Sequence, residues 1–257
     1  SAGVRGLVTG RIYAIGDIHG QLGQLKNAHR RIAEDRARVG DDGAQIVHVG
    51  DLTDRGPDSR GVLDYLIEGQ ANGQPWVVLK GNHDRLFYRF MDDPCWYDPA
   101  MMSELHWLDP RLGGATTLAS YGVAGASEEG RAEAHAHART CIPEHHLTWL
   151  EALPLTHEAD ELFFVHAGVR PGVPLSRQVE DDLVWIRKEF IDDTRDHGAL
   201  IVHGHTVIDE PTHYGNRVNL DGGAAYGRPL IPAVFEGSEV WTLSDAGRVV
   251  LRPDQAR

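Results

Sequence analysis

An α/β domain with two sheets is the architecture this sequence predicts, and three observations predict it. Short apolar runs alternate with helical stretches through residues 11–91, the order of parallel βαβ units. The runs RIYAIGD, AQIVHVGD and PWVVLKGNHD are apolar almost throughout, as strands covered on both faces are. Apolar runs then resume late in the chain as ELFFVHAG and ALIVHGHT, followed by NRVNLDGG, PAVFEG and EVWTL. These last three are short and turn-bounded, and read as antiparallel strands.

Taken in order, RIYAIGD is the first strand, and a helix is expected from about Gln21 to Val39. AQIVHVGD is followed by a helix from Ser59 to Gln70, and PWVVLKGNHD by the helical RLFYRFM. The stretch at about 94–139 differs in character. CWYDPAMMSELHWL is aromatic and acidic, GGATTLASYG is small and glycine-rich, and ASEEGRAEAHAHAR reads as an exposed helix. It is expected to be a cap-like insertion over the sheet, with Trp96, Tyr97 and Trp107 as its core rather than a substrate wall. His135, His137, His145 and His146 are expected to be solvated helix residues. IPEHHLTWLEAL is a helix with a proline near its start. The absence of repeats, low-complexity segments or an evident linker makes one domain over 1–257 the economical reading.

A formal charge of −13 makes the average surface acidic, which argues against nucleic acid and anionic membranes as partners. No apolar stretch is long enough to span a bilayer, and SAGVRGLVTG lacks a charged-then-apolar signal pattern. The expectation is a cytoplasmic protein. Its two cysteines, Cys95 and Cys141, lack metal or redox spacing and are expected to be free, buried thiols.

Five strand-like runs end in polar clusters: Asp17 and His19 in GDIHG, Asp51 in GDLTDRG, Asn82 and His83 in GNHD, His166 in VHAG, and His205 in VHGHT. Ligand sites of parallel α/β sheets gather at the carboxyl ends of strands. Two aspartates, three histidines and an asparagine suit Mn, Fe or Zn better than Ca, which prefers oxygen alone. Six donors exceed what one catalytic metal with open positions uses, and suit two metals sharing a carboxylate. Taken singly, each has a blander reading: Asp17 and His19 as an ordinary turn, Asn82 as a helix cap, Arg55 as a surface charge.

The ordered set GDIHG, GDLTDRG, GNHD, HAG, HGHT resembles the calcineurin-like metallophosphoesterases. Within them it resembles the phosphoprotein phosphatase branch, which holds bacterial and phage serine/threonine phosphatases and symmetric diadenosine tetraphosphate hydrolases. The resemblance implies a two-sheet αββα sandwich. It assigns Asp17 and His19 to a first metal, Asp51 to the bridge, and Asn82, His166 and His205 to a second metal. His83 matches the general acid, Asp54 the carboxylate that orients it, Arg55 a phosphate-binding arginine, and Arg187 in DLVWIRKEF a second one. WIRKEF also fits an amphipathic helix with exposed cations. The sequence departs from the wider superfamily at Val207, where many members carry a further histidine. This agrees with the phosphatase branch and argues against a nuclease. His203 is left outside the ligand set, as a neighbour of the ligands.

The expected cofactors are two divalent ions per chain, manganese first, with Fe, Zn, Co, Ni or Mg as other candidates. The expected reaction is hydrolysis of phosphomonoesters by a metal-bridged hydroxide, on a phosphoprotein, phosphopeptide or small phosphoester. A dinucleoside polyphosphate is the alternative substrate, and a non-catalytic scaffold is a weaker reading because no ligand is lost. The protein substrate is preferred on the ground that Asp92, Asp93, Asp98, Glu104 and Asp109 would repel a polyphosphate if they rimmed the cleft.

Overall fold

The computed structural model describes residues 8–41 and 43–253. The chain begins β1 (Val8–Ile15), α1 (Leu22–Val39), β2 (Gln45–His48), α2 (Ser59–Ala71), β3 (Trp76–Val78), α3 (Asn82–Asp92). Helices α4 (Gly114–Ser120), α5 (Arg131–Cys141) and α6 (Glu144–Ala152) follow. Then come β4 (Thr156–Ala159), β5 (Leu162–Val165), α7 (Glu180–Trp185), α8 (Lys188–Ile191) and β6 (Leu200–His203). The chain ends with β7 (Thr212–His213), β8 (Arg217–Asn219), β9 (Ala233–Gly237), β10 (Glu239–Ser244) and β11 (Gly247–Val250).

Two mixed sheets form, in the orders β11-β10-β9-β1-β2-β3 and β4-β5-β6-β8-β7. Strands β1, β2 and β3 run parallel, as do β5, β6 and β8. NRVNLDGG therefore departs from its antiparallel expectation: β8 is parallel to β6 and antiparallel only to β7. PAVFEG and EVWTL pair antiparallel as β9 and β10.

Period-two alternation sorts each strand's side chains between two cores. From β1, Ile12 and Ala14 meet Phe164, Val202 and Val218 between the sheets, while Tyr13 and Ile15 face α1 and α2. The outer face of the second sheet packs Phe163, Val165 and Ile201 against Leu183, Ile186 and Phe190. The layers are helix, sheet, sheet, helix, as the resemblance implied.

The 94–139 stretch joins the helix-side core through Trp107, Leu112, Leu118 and Tyr121. Trp107 stacks on Phe87 of α3 with ring centroids 5.2 Å apart. GGATTLASYG forms α4, with Gly113 left-handed at its start. Three expectations need correction. Tyr97, expected in the core of this stretch, is exposed, with its hydroxyl on Glu128. His146 is fully buried, bonded to Tyr121 and Asp64, because α6 turns this face inward. Cys95 is exposed in the irregular stretch after α3, and Cys141, the last residue of α5, is only half-buried against the helix-side core; both are free. Among the described residues no helix is long and apolar enough to cross a membrane.

Candidate metal centre and active-site cleft

Every predicted cluster lies just beyond the carboxyl end of a strand. Asp17 and His19 follow β1, Asp51 follows β2, Asn82 and His83 follow β3, His166 follows β5 and His205 follows β6. Three strands from one sheet and two from the other therefore feed a single place. The turns that do this are strained. Of seven non-glycine residues with positive φ among those described, five are His19 (46°), Asp51 (52°), Asp54 (74°), Arg55 (66°) and His205 (68°). Such conformations cost on the order of 1 kcal/mol or more each, and they cluster where geometry serves chemistry. Close approach also requires glycine. A Cβ on Gly81 would lie 2.1 Å from Asp51 Oδ1, and one on Gly204 would lie 1.9 Å from Asp17 Oδ1.

Two groups of donors have ligand atoms within 4.8 Å of one another, and Asp51 belongs to both: His19, Asp51 and His83, and Asp51, His166 and His205. The Asp51 carboxylate turns one oxygen to each group. Oδ2 lies 3.4 Å from His19 Nε2, and Oδ1 lies 3.3 Å from His166 Nε2. Asn82 Oδ1 is 2.9 Å from the same His166 nitrogen. Asp17 accepts the His205 backbone N–H at 3.1 Å, and its carboxylate is 4.0 Å from His19 Nε2.

The hydrogen bonds behind these side chains fix which atoms face inward. His19 Nδ1 donates to Thr53 O (2.8 Å) and His166 Nδ1 to Val49 O (2.9 Å), so each neutral ring presents its Nε2 lone pair to a carboxylate. Lone pair facing carboxylate is repulsive unless a proton or cation lies between them. His205 Nε2 is buried with no hydrogen-bond partner among the described residues. An orphaned imidazole nitrogen, two inward lone pairs and a shared carboxylate are what a pair of divalent cations would satisfy.

The electrostatics agree. Burial, with the Asp221 and Asp51 carboxylates, pushes Asp17 well above the ordinary carboxylate range. Burial and Asp51 push Asp84 up to about 7. Burial would raise Asp51 too, but His166, His83 and His19 outweigh it and hold it well below its usual range. His166 shows the counterpart. Burial alone would lower it, yet Asp51 and then Asp17 take it to about 9. His19 is lowered to about 3, chiefly by burial.

Asn82 does not cap α3. Gly81 holds that position, and Asp84 reaches back to accept the Gly81 N–H at 2.8 Å, leaving the Asn82 side chain free for the site. The other oxygen of Asp84 accepts Leu52 N–H at 2.9 Å, tying the loop after β2 to α3.

His83 Nδ1 contacts Asp54 Oδ2 at 2.7 Å, which leaves Nε2 to face the donor groups. Arg55, Arg187, Asn82 and His83 line one cleft of about 1040 Å³, with Met101 and Trp185 among its walls. The Arg187 guanidinium bonds His205 O at 3.0 Å, and Arg187 stands between α7 and α8 rather than within a helix, which departs from an amphipathic WIRKEF. Arg55 stacks its guanidinium over Tyr226, 5.7 Å from the ring centroid.

Within this arrangement the residue model for calcineurin-like phosphoesterases matches residues 10–226. The chain belongs to the calcineurin-like phosphoesterase family. Members act on phosphoester bonds with divalent metals. Among curated relatives, bis(5'-nucleosyl)-tetraphosphatase PrpE (asymmetrical) of Bacillus thuringiensis strain Al Hakam is 28% identical, covering 95% of this chain and 97% of its own. The protein of the same name from Bacillus cereus strain AH187 is also 28% identical, over 88% and 91%. Among solved structures, a candidate diadenosine tetraphosphatase has a TM-score of 0.61 at 23% identity over 96% of each chain. A cold-active protein tyrosine phosphatase has a TM-score of 0.62 at 15% identity, over 98% of this chain and 83% of its own. Both structures are fold neighbours of this chain.

The geometry brings in three residues to which the sequence assigned no part in the site. Asp221, in NLDGG, is buried and raises the Asp17 pKa. Trp107 and Thr117 both bond Asp54. His203, placed outside the ligand set, is buried with Nδ1 on Gly204 O, and its Nε2 lies 3.2 Å from Arg217.

Proposed function

We propose that this phosphoesterase hydrolyses phosphate monoesters carried on protein side chains, serine/threonine or tyrosine. Asp17, His19, Asp51, Asn82, His166 and His205 would hold two divalent ions, manganese being the first to test. Such a pair, when bound, neutralises phosphoryl oxygens and makes a water molecule acidic enough to serve as nucleophile near neutral pH. Arg55 and Arg187 grip the phosphoryl oxygens with planar guanidinium forks. His83 gives its Nε2 proton to the leaving oxygen, while Asp54 retains the Nδ1–H and fixes the ring.

The observation that carries the monoester reading is the 2.7 Å His83–Asp54 contact at the cleft. A proton donor is most valuable when the leaving group is a poor one, such as an alkoxide or phenoxide. A nucleotide leaving from a polyphosphate departs as a stable phosphate anion and needs little such help.

A dinucleoside polyphosphate is the second reading, and two observations favour it. None of Asp92, Asp93, Asp98, Glu104 and Asp109 lines the cleft, so the repulsion expected of those five is withdrawn, although Asp181, Asp182, Glu189 and Asp192 do line it. Asp98 is buried against Arg85, and Asp109 pairs with Arg111. The curated relatives also carry a tetraphosphatase name. The deciding experiment is kcat/KM for phosphopeptides against diadenosine tetraphosphate under one metal condition. The phosphopeptide is expected to win. A dinucleotide preferred by orders of magnitude would overturn the protein-substrate reading.

A further inference from the structure

Asp54 is fully buried, and among the described residues no lysine or arginine pairs with it. Its charge is met by three hydrogen bonds. Oδ2 accepts from His83 Nδ1 at 2.7 Å and from Trp107 Nε1 at 2.8 Å, and Oδ1 accepts from Thr117 Oγ1 at 2.7 Å. Tryptophan can only donate, so this oxygen is an acceptor. The Thr117 hydroxyl also accepts the Asp54 backbone N–H at 2.8 Å and lies 3.1 Å from Ser59 Oγ. One side chain thus grips Asp54 at both backbone and carboxylate, and holds it in its left-handed conformation.

The donors are themselves immobilised. Trp107 is sandwiched between Phe87, one helical turn beyond His83 on α3, and Gly114, where an added Cβ would lie 2.5 Å from the indole. Thr117 is buried on α4. Both come from the 94–139 stretch, 53 and 63 residues from Asp54.

We infer that Trp107 and Thr117 are positioning residues for the proton-donating step. They saturate and orient the Asp54 carboxylate so that His83 Nδ1 has one acceptor in one place and Nε2 faces the leaving oxygen. This role rests on His83 being the acid. It gives the insertion a part in the chemistry, since the clamp comes from a different region of the chain than the pair it holds. Losing one donor leaves a buried carboxylate short of a partner and free to rotate, and the acid drifts with it.

The test compares kcat/KM on an alkyl phosphate, such as a phosphoserine peptide, with that on dinitrophenyl phosphate, whose leaving group needs no proton. Metal content is checked in parallel. Thr117→Val and Trp107→Phe are expected to lose on the order of 10- to 100-fold on the alkyl ester and less than about threefold on the dinitrophenyl ester. Thr117→Ser should recover most of the loss, because the hydroxyl is what matters. In a His83→Asn background Thr117→Val should cost nothing further, since residues acting through one step are not additive. If His83→Asn is selective for the alkyl ester but Thr117→Val and Trp107→Phe lose equally on both, the clamp is only structural and the inference fails while the acid assignment stands. If His83→Asn itself loses equally on both, the acid assignment falls and takes the inference with it.

Discussion

Arg85 lies two residues beyond His83 on α3, and its guanidinium is nearly inaccessible. It makes a two-pronged contact with Asp98, at 2.9 and 2.8 Å, and reaches Asp181 at 2.9 Å and Glu180 at 3.4 Å. Asp98 in turn accepts Trp185 Nε1 at 3.0 Å and Ala100 N–H at 3.0 Å. The pair therefore fastens α3 to both the loop after Asp98 and α7, two walls of the cleft. The two partners are not equivalent. Side-chain exposure is 8% for Arg85 and 0% for Asp98, against 59% for Asp181 and 39% for Glu180. Arg85→Ala strands Asp98 as a buried charge with only two neutral donors, and breaking a buried pair in that way costs about 3–5 kcal/mol. Asp98→Ala leaves the guanidinium its two half-exposed carboxylates, and should cost less, about 2 kcal/mol. At roughly 2–4 °C per kcal/mol for a chain of this size, the melting point should fall by about 12 °C and about 6 °C respectively. Urea titrations at constant metal concentration should show the midpoint moving with the slope unchanged. The reasoning is refuted if Asp98→Ala is the more damaging, or if both cost under about 1 kcal/mol.

Four further outcomes are expected. Asp51→Asn should release both ions on elemental analysis, because one carboxylate faces both donor groups; a single ion still tightly held would contradict the sharing. Gly204→Ala should displace the Asp17 carboxylate and reduce bound metal while the fold persists by circular dichroism, and unchanged metal content would count against Asp17 as a ligand. Arg55→Ala and Arg187→Ala should each weaken inhibition by inorganic phosphate and lower kcat/KM, with lysine rescuing only in part; an unaffected Arg187→Ala would leave that residue as support for the His205 carbonyl. Rapid-quench experiments with labelled substrate should trap no phosphoryl-enzyme, since a metal-activated water requires no side-chain nucleophile; a covalent adduct would overturn direct attack by water.

The parts of the site that were legible in the sequence share one property. Each metal-type donor sits at a strand end, so a local pattern of apolar run, glycine and polar residue marks it. Asp17, Asp51, Asn82, His166 and His205 were visible for that reason; the two-sheet α/β class followed from the same runs, and the layered sandwich from the family resemblance. What was not legible depends on long-range approach. Nothing local in GGATTLASYG says that Thr117 meets Asp54, and Trp107 reads equally well as core or wall until its N–H finds the carboxylate. The acids from Asp93 to Asp109 lie in a segment without periodicity, so their direction had no sequence signal. His146 was misread because a nine-residue helix carries too few turns to show its buried face. β8 was misread because three residues between turns look alike in either direction.

The gathering of donors from both sheets also bears on how the molecule comes apart. Asp17 and His205 meet across 188 residues, so the centre is complete only when the first strand and a late one have both been placed. Contacts so distant in sequence close late in folding, because the loop entropy must be met first. An ion that recognises only the finished constellation stabilises the native state without stabilising the transition state that precedes it. Metal should therefore leave the refolding rate nearly unchanged and slow unfolding in proportion to its affinity. In the cell such an ion acts as a latch on an assembled protein rather than as a template for assembling it, and its removal would shorten the protein's lifetime before altering how readily it folds.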